Sequence, residues 1–315
     1  MMQCNATRPF PGWLSWLLGL TLSLAVWGCG PEAANDDGRL KIVCTTGMIG
    51  DALSIVAGEN AEVEWLMGPG VDPHLYKATQ GDLRLLTQAD AIFYNGLHLE
   101  GKMGEILEKV GRQKPTVPVA AGVDSSRLVN STDYADAYDP HLWFDVALWS
   151  RAVAYATQKL IRLDPEHAEA YQRRSQRYLA QLDSLDATVR TRIATIPAGQ
   201  RVLITAHDAF TYFGLAYDIE VRGLQGISTV SEYGLRDISE LVNFIVDRNI
   251  KAVFVESSVP ARSLEAVVEG CQQRGHEISI GGTLYSDAMG EAGSPEGTYL
   301  GMVDHNVEVI VEALR

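Results

Sequence analysis

From Leu40 to the C-terminus, short runs of Val, Ile, Leu and Ala alternate with segments whose apolar residues recur at steps of three and four. Runs of the first kind suit strands covered on both faces, and segments of the second kind suit helices laid against them. Their alternation predicts parallel α/β sheets. In the first half, strands are expected at 41–45, 63–67, 91–94 and 116–120, with helices at 49–57, 83–88 and 146–161, the last capped by Asp145. In the second half, strands are expected at 202–205, 219–221, 252–255 and 278–280, and helices at 208–215, 238–246, 261–274 and 297–314. The second half reads as a smaller echo of the first.

Between them lies one longer helical pattern. Asp164-Pro165-Glu166 is a helix start, with Asp as N-cap, Pro at the first helical position and an acid in the first turn. Tyr171, Tyr178, Leu182, Leu185, Val189, Ile193 and Ile196 then share one face, and Pro197 and Gly199 end it. Roughly 30 residues make a rod of about 45 Å, longer than one small domain needs. A spine joining two lobes is the favoured reading; a coiled-coil partner helix is the alternative. The expected plan is two Rossmann-like lobes, 40–163 and 198–315, joined by a linking helix over 164–197, with a cleft between them.

The N-terminus is read separately. A continuous apolar run from Trp13 to Trp27 is short for a membrane span but suits the core of a signal peptide. It ends in Val26-Trp27-Gly28-Cys29, which resembles a bacterial lipobox with Trp27 where a small residue is usual. Residues 1–29 are therefore expected to be a lipoprotein signal, Cys29 the acylated new terminus, and 30–39 a tether. An uncleaved anchor is the alternative, and either way the domain faces outward from a membrane. With 315 residues and 46% hydrophobic content the chain can build two cores, and a formal charge of −14 disfavours nucleic acid. Besides Cys4 and Cys29 there remain Cys44 and Cys271, expected as buried thiols rather than a disulfide between the halves.

Four residues carry the candidate chemistry: His74, His141, His207 and Asp287. Each stands where a strand-like run gives way to a loop or helix, two before the spine and two after it. His74 and His141 share the tripeptide Asp-Pro-His (Asp72-Pro73-His74 and Asp139-Pro140-His141), in which Pro stiffens the loop presenting the imidazole. Asp72 and Asp139 are expected to shape those turns, with a hydrogen bond to the ring as the alternative. His207 follows a strand at the sheet edge where open α/β folds bind ligands, and Gly281 and Gly282 are expected to turn the chain that carries Asp287 back toward the cleft. His98 is the reserve ligand, whereas His167, His276 and His305 have no partner motif. Imidazole and carboxylate donors suit zinc, and with expanded coordination manganese or iron(II).

Thr205-Ala206-His207-Asp208-Ala209-Phe210, Gly226-Ile227-Ser228-Thr229, Val255-Glu256-Ser257-Ser258-Val259-Pro260 and Gly282-Thr283-Leu284-Tyr285-Ser286-Asp287 resemble the TroA-like zinc/manganese-binding lipoproteins of ABC importers. The resemblance spans 40–315 and the lipobox. It implies two lobes on one backbone helix and a metal held by the positions of His74, His141, His207 and Asp287. It further implies a protein anchored in the periplasm or at the cell surface that delivers its ion to a membrane permease, and a monomer is expected. Zinc is favoured over manganese, with Fe2+ a third candidate. Two alternatives stand beside it: a zinc-dependent hydrolase with Glu256 as base, and an adhesin-type lipoprotein with a structural metal.

Overall fold

The computed structural model describes residues 38–131 and 135–315. The signal, Cys29 and all but the end of the tether lie outside the described residues. The first half opens with β1 (Leu40–Thr46), α1 (Gly47–Ala57) and β2 (Ala61–Met67). It continues through α2 (Gln80–Gln88), β3 (Ala91–Tyr94), α3 (Gly104–Gly111) and β4 (Thr116–Pro118). α4 (Val146–Leu163) and α5 (Ala168–Ile193) follow, capped for α4 by the Asp145 carboxylate, which accepts from the backbone of Ala147 and Leu148. The second half runs β5 (Val202–His207), α6 (Thr211–Tyr217), β6 (Glu220–Gln225), α7 (Leu235–Asp247) and β7 (Ala252–Glu256). It closes with α8 (Arg262–Gln273), β8 (Ser279–Leu284) and α9 (Tyr299–Leu314).

Both sheets are parallel and share one order, β2-β1-β3-β4 and β6-β5-β7-β8. The first strand of each half is therefore central, and β5 is accordingly buried at every residue. In each sheet the chain moves to one side after the first strand and returns past it to the other. That reversal opens a crevice at the carboxyl ends of the strands, where α/β sheets take ligands.

One hydrophobic core passes through both lobes. It includes Ile42 and Leu53 from the first half, Tyr178 and Val189 from α5, and Phe210 and Tyr299 from the second. Smaller cores lie separately under α7 and α8 (Ile245, Val267) and under α2 and α3 (Leu86, Leu107). The lobes thus share an inner core while each keeps an outer one. Cys44 and Cys271 are free and buried in different cores, so they do not pair, and burial raises both thiols.

Several expectations are corrected. The spine is shorter, 26 helical residues or about 39 Å, and α4 packs along it, with Thr157 and Ser175 hydroxyls 3.1 Å apart. Asp164 does not cap it. Pro165–His167 is a 3-10 turn, and the Asp164 carboxylate takes the Tyr171 hydroxyl and the His167 ring instead. Gly281 and Gly282 lie inside β8 rather than in a turn. A Cβ on Gly281 would meet Ala313 and the Phe254 ring, so its smallness lets α9 approach the sheet. Helix α3 had no counterpart in the sequence reading, and α6 begins three residues late because 208–210 form a turn fastened by Thr211 to Asp208. Among the described residues no helix is long and apolar enough to cross a membrane.

Candidate metal centre

Each of the four candidate side chains is fixed by a different local device. His74 sits on the loop after β2, where Asp72 accepts its backbone N–H at 2.8 Å through Oδ1 and the Thr229 hydroxyl at 2.6 Å through Oδ2. Asp72 thus shapes the turn and ties it to the other half, but does not touch the imidazole. Asp139 does both jobs. Its Oδ1 accepts the backbone N–H of His141 at 2.9 Å and lies 2.7 Å from the ring Nδ1. The carbonyls of Asp139 and Pro140 in turn accept from Tyr212 and Asn95.

His207 is the last residue of β5, and Glu256 is the last of β7, its neighbour in the sheet. Glu256 accepts the backbone N–H of His207 at 2.9 Å and faces its Nδ1 at 2.6 Å. Gly223 in β6 is required here, because a Cβ would come within 2.7 Å of His207 and Asp208 backbone atoms. Asp287 follows β8 directly after two anchored residues. Asn306 of α9 accepts from Tyr285 N–H and donates to Tyr285 C=O, while Ser286 C=O accepts from the Trp143 indole.

These devices bring one ligand atom from each residue within 4.8 Å of all the others. The Nε2 atoms of His74 and His141 are 3.2 Å apart. Asp287 Oδ1 is 3.4 Å from His141 Nε2, and Oδ2 is 3.3 Å from His207 Nε2 and 3.9 Å from His74 Nε2. Donors around a tetrahedral zinc, with bonds of roughly 2.0–2.1 Å, lie about 3.3 Å from one another. The spacing therefore fits an ion at the centre. Carboxylates facing Nδ1 of His141 and His207 place a proton there and leave the Nε2 lone pairs pointing inward.

The electrostatics agree. Burial disfavours a charged His141, but Asp139 and Asp287 outweigh it and raise its pKa to about 9. His207 is raised well above the ordinary value against the same burial, chiefly by Glu256 and then Asp287. His74, with Asp287 as its carboxylate neighbour, is pushed down to about 3 by burial. Burial opposes ionisation of Asp287, yet the two raised imidazoles hold it well below the carboxylate range. A buried anion facing three imidazoles is a cation site in which protons stand in for the metal.

Sequence reasoning named all four residues, and among the described residues they form the one such cluster of His, Cys, Asp or Glu. His98 lies outside it. His167, His276 and His305 are structural, bonded to Asp164, the Ile250 carbonyl and the Thr283 carbonyl. Asn306 was not anticipated; its only sequence signal is a polar residue on the otherwise apolar stripe of α9. A hydrolase would need a free base beside the cluster, whereas Glu256 accepts the His207 backbone N–H through Oε1 and lies 2.6 Å from its Nδ1 through Oε2.

Comparison with known proteins identifies the family. Residues 42–313 match the family described as zinc-uptake complex component A, periplasmic. The chain belongs to this family. The manganese-binding lipoprotein MntA of Bacillus subtilis is 48% identical over 94% of this chain and 97% of its own. The zinc-binding protein TroA of Treponema pallidum is 49% identical over 90% of this chain and 92% of its own. The solved structure of that TroA superposes with a TM-score of 0.86, covering 88% of this chain and 99% of that one.

Proposed function

We propose that this protein captures a divalent transition metal between its two lobes through His74, His141, His207 and Asp287. It then delivers the ion, as an extracytoplasmic lipoprotein acylated at Cys29, to the membrane permease of an ABC importer. The observation that carries the reading is the convergence of three inward-facing imidazole nitrogens and a buried carboxylate on one point. Segments 40–163 and 198–315 act as the lobes, and 164–197 as the strut between them.

The ion is zinc or manganese, with iron(II) third. Near-equal identity to a manganese-binding and to a zinc-binding relative does not separate the two. Three imidazoles favour zinc at equilibrium. Both Asp287 oxygens face the centre, so bidentate ligation would raise the donor count to five and admit manganese. Titration of metal-stripped protein under anaerobic conditions tests this. One ion per chain, with zinc held more tightly than manganese, is expected. Failure to take up either ion ends the proposal, and manganese bound more tightly reverses the order of preference.

A further inference from the structure

The four-residue site leaves one histidine of the cleft unused. A cavity of about 450 Å3 is lined by His74, His98, Asp136, Tyr138, Ile227 and Val230, among others, and so lies between the two halves. Of the four converging residues, His74 is the one that lines it, while His141 and His207 are completely buried. An ion crossing this cavity meets His74 first.

His98 is held on the wall of that passage by an unusual loop. Leu97 and His98 both adopt left-handed backbone, with φ of 53° and 66°, a conformation that histidine tolerates but the bulky Leu97 avoids. The buried Glu100 carboxylate fastens the loop from within, accepting from Asn95 N–H at 2.6 Å, Gly96 N–H at 3.2 Å and the Thr45 hydroxyl at 2.7 Å. Asn95 then donates to the Pro140 carbonyl at 3.0 Å, one residue from His141. Left-handed backbone of this kind persists where the surroundings impose it, and it collects at functional sites.

We propose that His98 is a transit ligand for the metal. Its imidazole replaces one water of the hydrated divalent ion in the cavity, and that bond breaks as His74 takes the ion inward. Ligand exchange is thereby divided into two smaller steps with no change in the oxidation state of the metal. Lys102 and Asp136 both line the cavity, so its wall carries no excess negative charge to retain a cation, as suits a place of passage rather than storage. The assignment rests on the four-residue reading of the metal centre.

The test is stopped-flow measurement of zinc association, and of zinc release to excess chelator, for the full chain and for His98→Asn. Asparagine tolerates the left-handed backbone and removes the imidazole; His98→Gly is the second variant should the first fold poorly. Both rates are expected to fall together by about three- to tenfold with the equilibrium affinity unchanged, because a waypoint alters the barrier and neither end state. Rates that stay the same, or a change in one rate without the other, overturn the proposal. Loss of the four-residue reading would show differently, as wild-type protein that takes up no metal.

Discussion

The two halves of the chain hold their shares of the metal centre by different means. His207 in the second half is part of a central strand, and the carboxylate that orients it ends the adjacent strand. His74 in the first half rides on a loop whose order comes through its backbone, from Asp72, and through Thr229 from the other half. His141 is intermediate, a loop residue whose own tripeptide supplies the orienting acid. One half therefore offers a ligand built into the sheet, and the other offers ligands whose loops must be held. Capture and release are then expected to work through the first-half loops, with His207 and Asp287 as the fixed side of the site.

Removing the fixed side should have the largest effect. His207→Ala and Asp287→Ala are each expected to weaken zinc binding by more than about a hundredfold, beyond the range of outer-shell substitutions. Calorimetric or competition titration checks this. Retained tight, stoichiometric binding in His207→Ala would refute its assignment as a ligand. The variants should remain folded, because the core passing through both lobes does not depend on either side chain.

Next come the orienting acids. Glu256→Gln and Asp139→Asn are each expected to cost about 10- to 100-fold in affinity, since each acid fixes the tautomer and orientation of its imidazole. Asp72, which touches only the backbone of His74, should cost less when changed to Asn. Equal losses at all three acids would mean that contact with the imidazole ring adds nothing to contact with the backbone alone.

Acidity probes the same contrast. In the free protein His141 keeps its proton up to about pH 9, and Glu256 and Asp287 likewise hold the His207 proton well above the ordinary imidazole range. Metal must displace these protons, so apparent affinity should rise with pH below 9, by about tenfold per pH unit for each proton released. The linkage for folding has the opposite sign. A histidine whose pKa is raised on folding stabilises the metal-free fold fully below its unfolded value near 6.5, and that contribution is lost as pH climbs through 9. Metal-free protein should therefore melt at lower temperature at pH 9 than at pH 6.5 with respect to these two groups. Melting curves in the presence and absence of zinc test both signs, and an affinity independent of pH would contradict the proton-for-metal exchange.

Much of this was readable from the chain because the signals were local. The strand over 91–94 coincides with β3, and the heptad-like steps from Tyr171 to Ile193 describe the buried face of α5. The four candidate residues stood out through local context, the shared Asp-Pro-His for His74 and His141 and the end of a strand-like run for His207 and Asp287. What failed to show was long-range. Gly281 looked like a turn residue because nothing nearby reveals that Ala313 will press against it. Asp164 looked like a cap because Tyr171 competes for its carboxylate only once the 3-10 turn has formed. In Gly104–Gly111 the spacing of Ile106, Leu107 and Val110 was visible, but two glycines at the ends of eight residues muted it. The role of Glu256 was half legible, since its strand-end position was clear but its pairing with His207 needs the β5–β7 register.

The smallest expected effect concerns the tie across the cleft. The Thr229 hydroxyl donates to Asp72 at 2.6 Å, joining a second-half loop to the turn that carries His74. Other bonds between the halves, such as Tyr299 to the Trp143 carbonyl and Tyr212 to the Asp139 carbonyl, lie deeper and are fully buried. Those deeper bonds and the shared core resist separation of the lobes, leaving the Asp72–Thr229 tie to act locally. Thr229→Val keeps the shape and removes one hydrogen bond, a contribution of about 0.5–1.5 kcal/mol, so zinc affinity should fall by only about two- to tenfold. The loss should appear in the dissociation rate, because the tie steadies His74 after the ion has arrived. An unchanged dissociation rate would mean that His74 is held by its own loop alone, and that the first half is as rigid as the second.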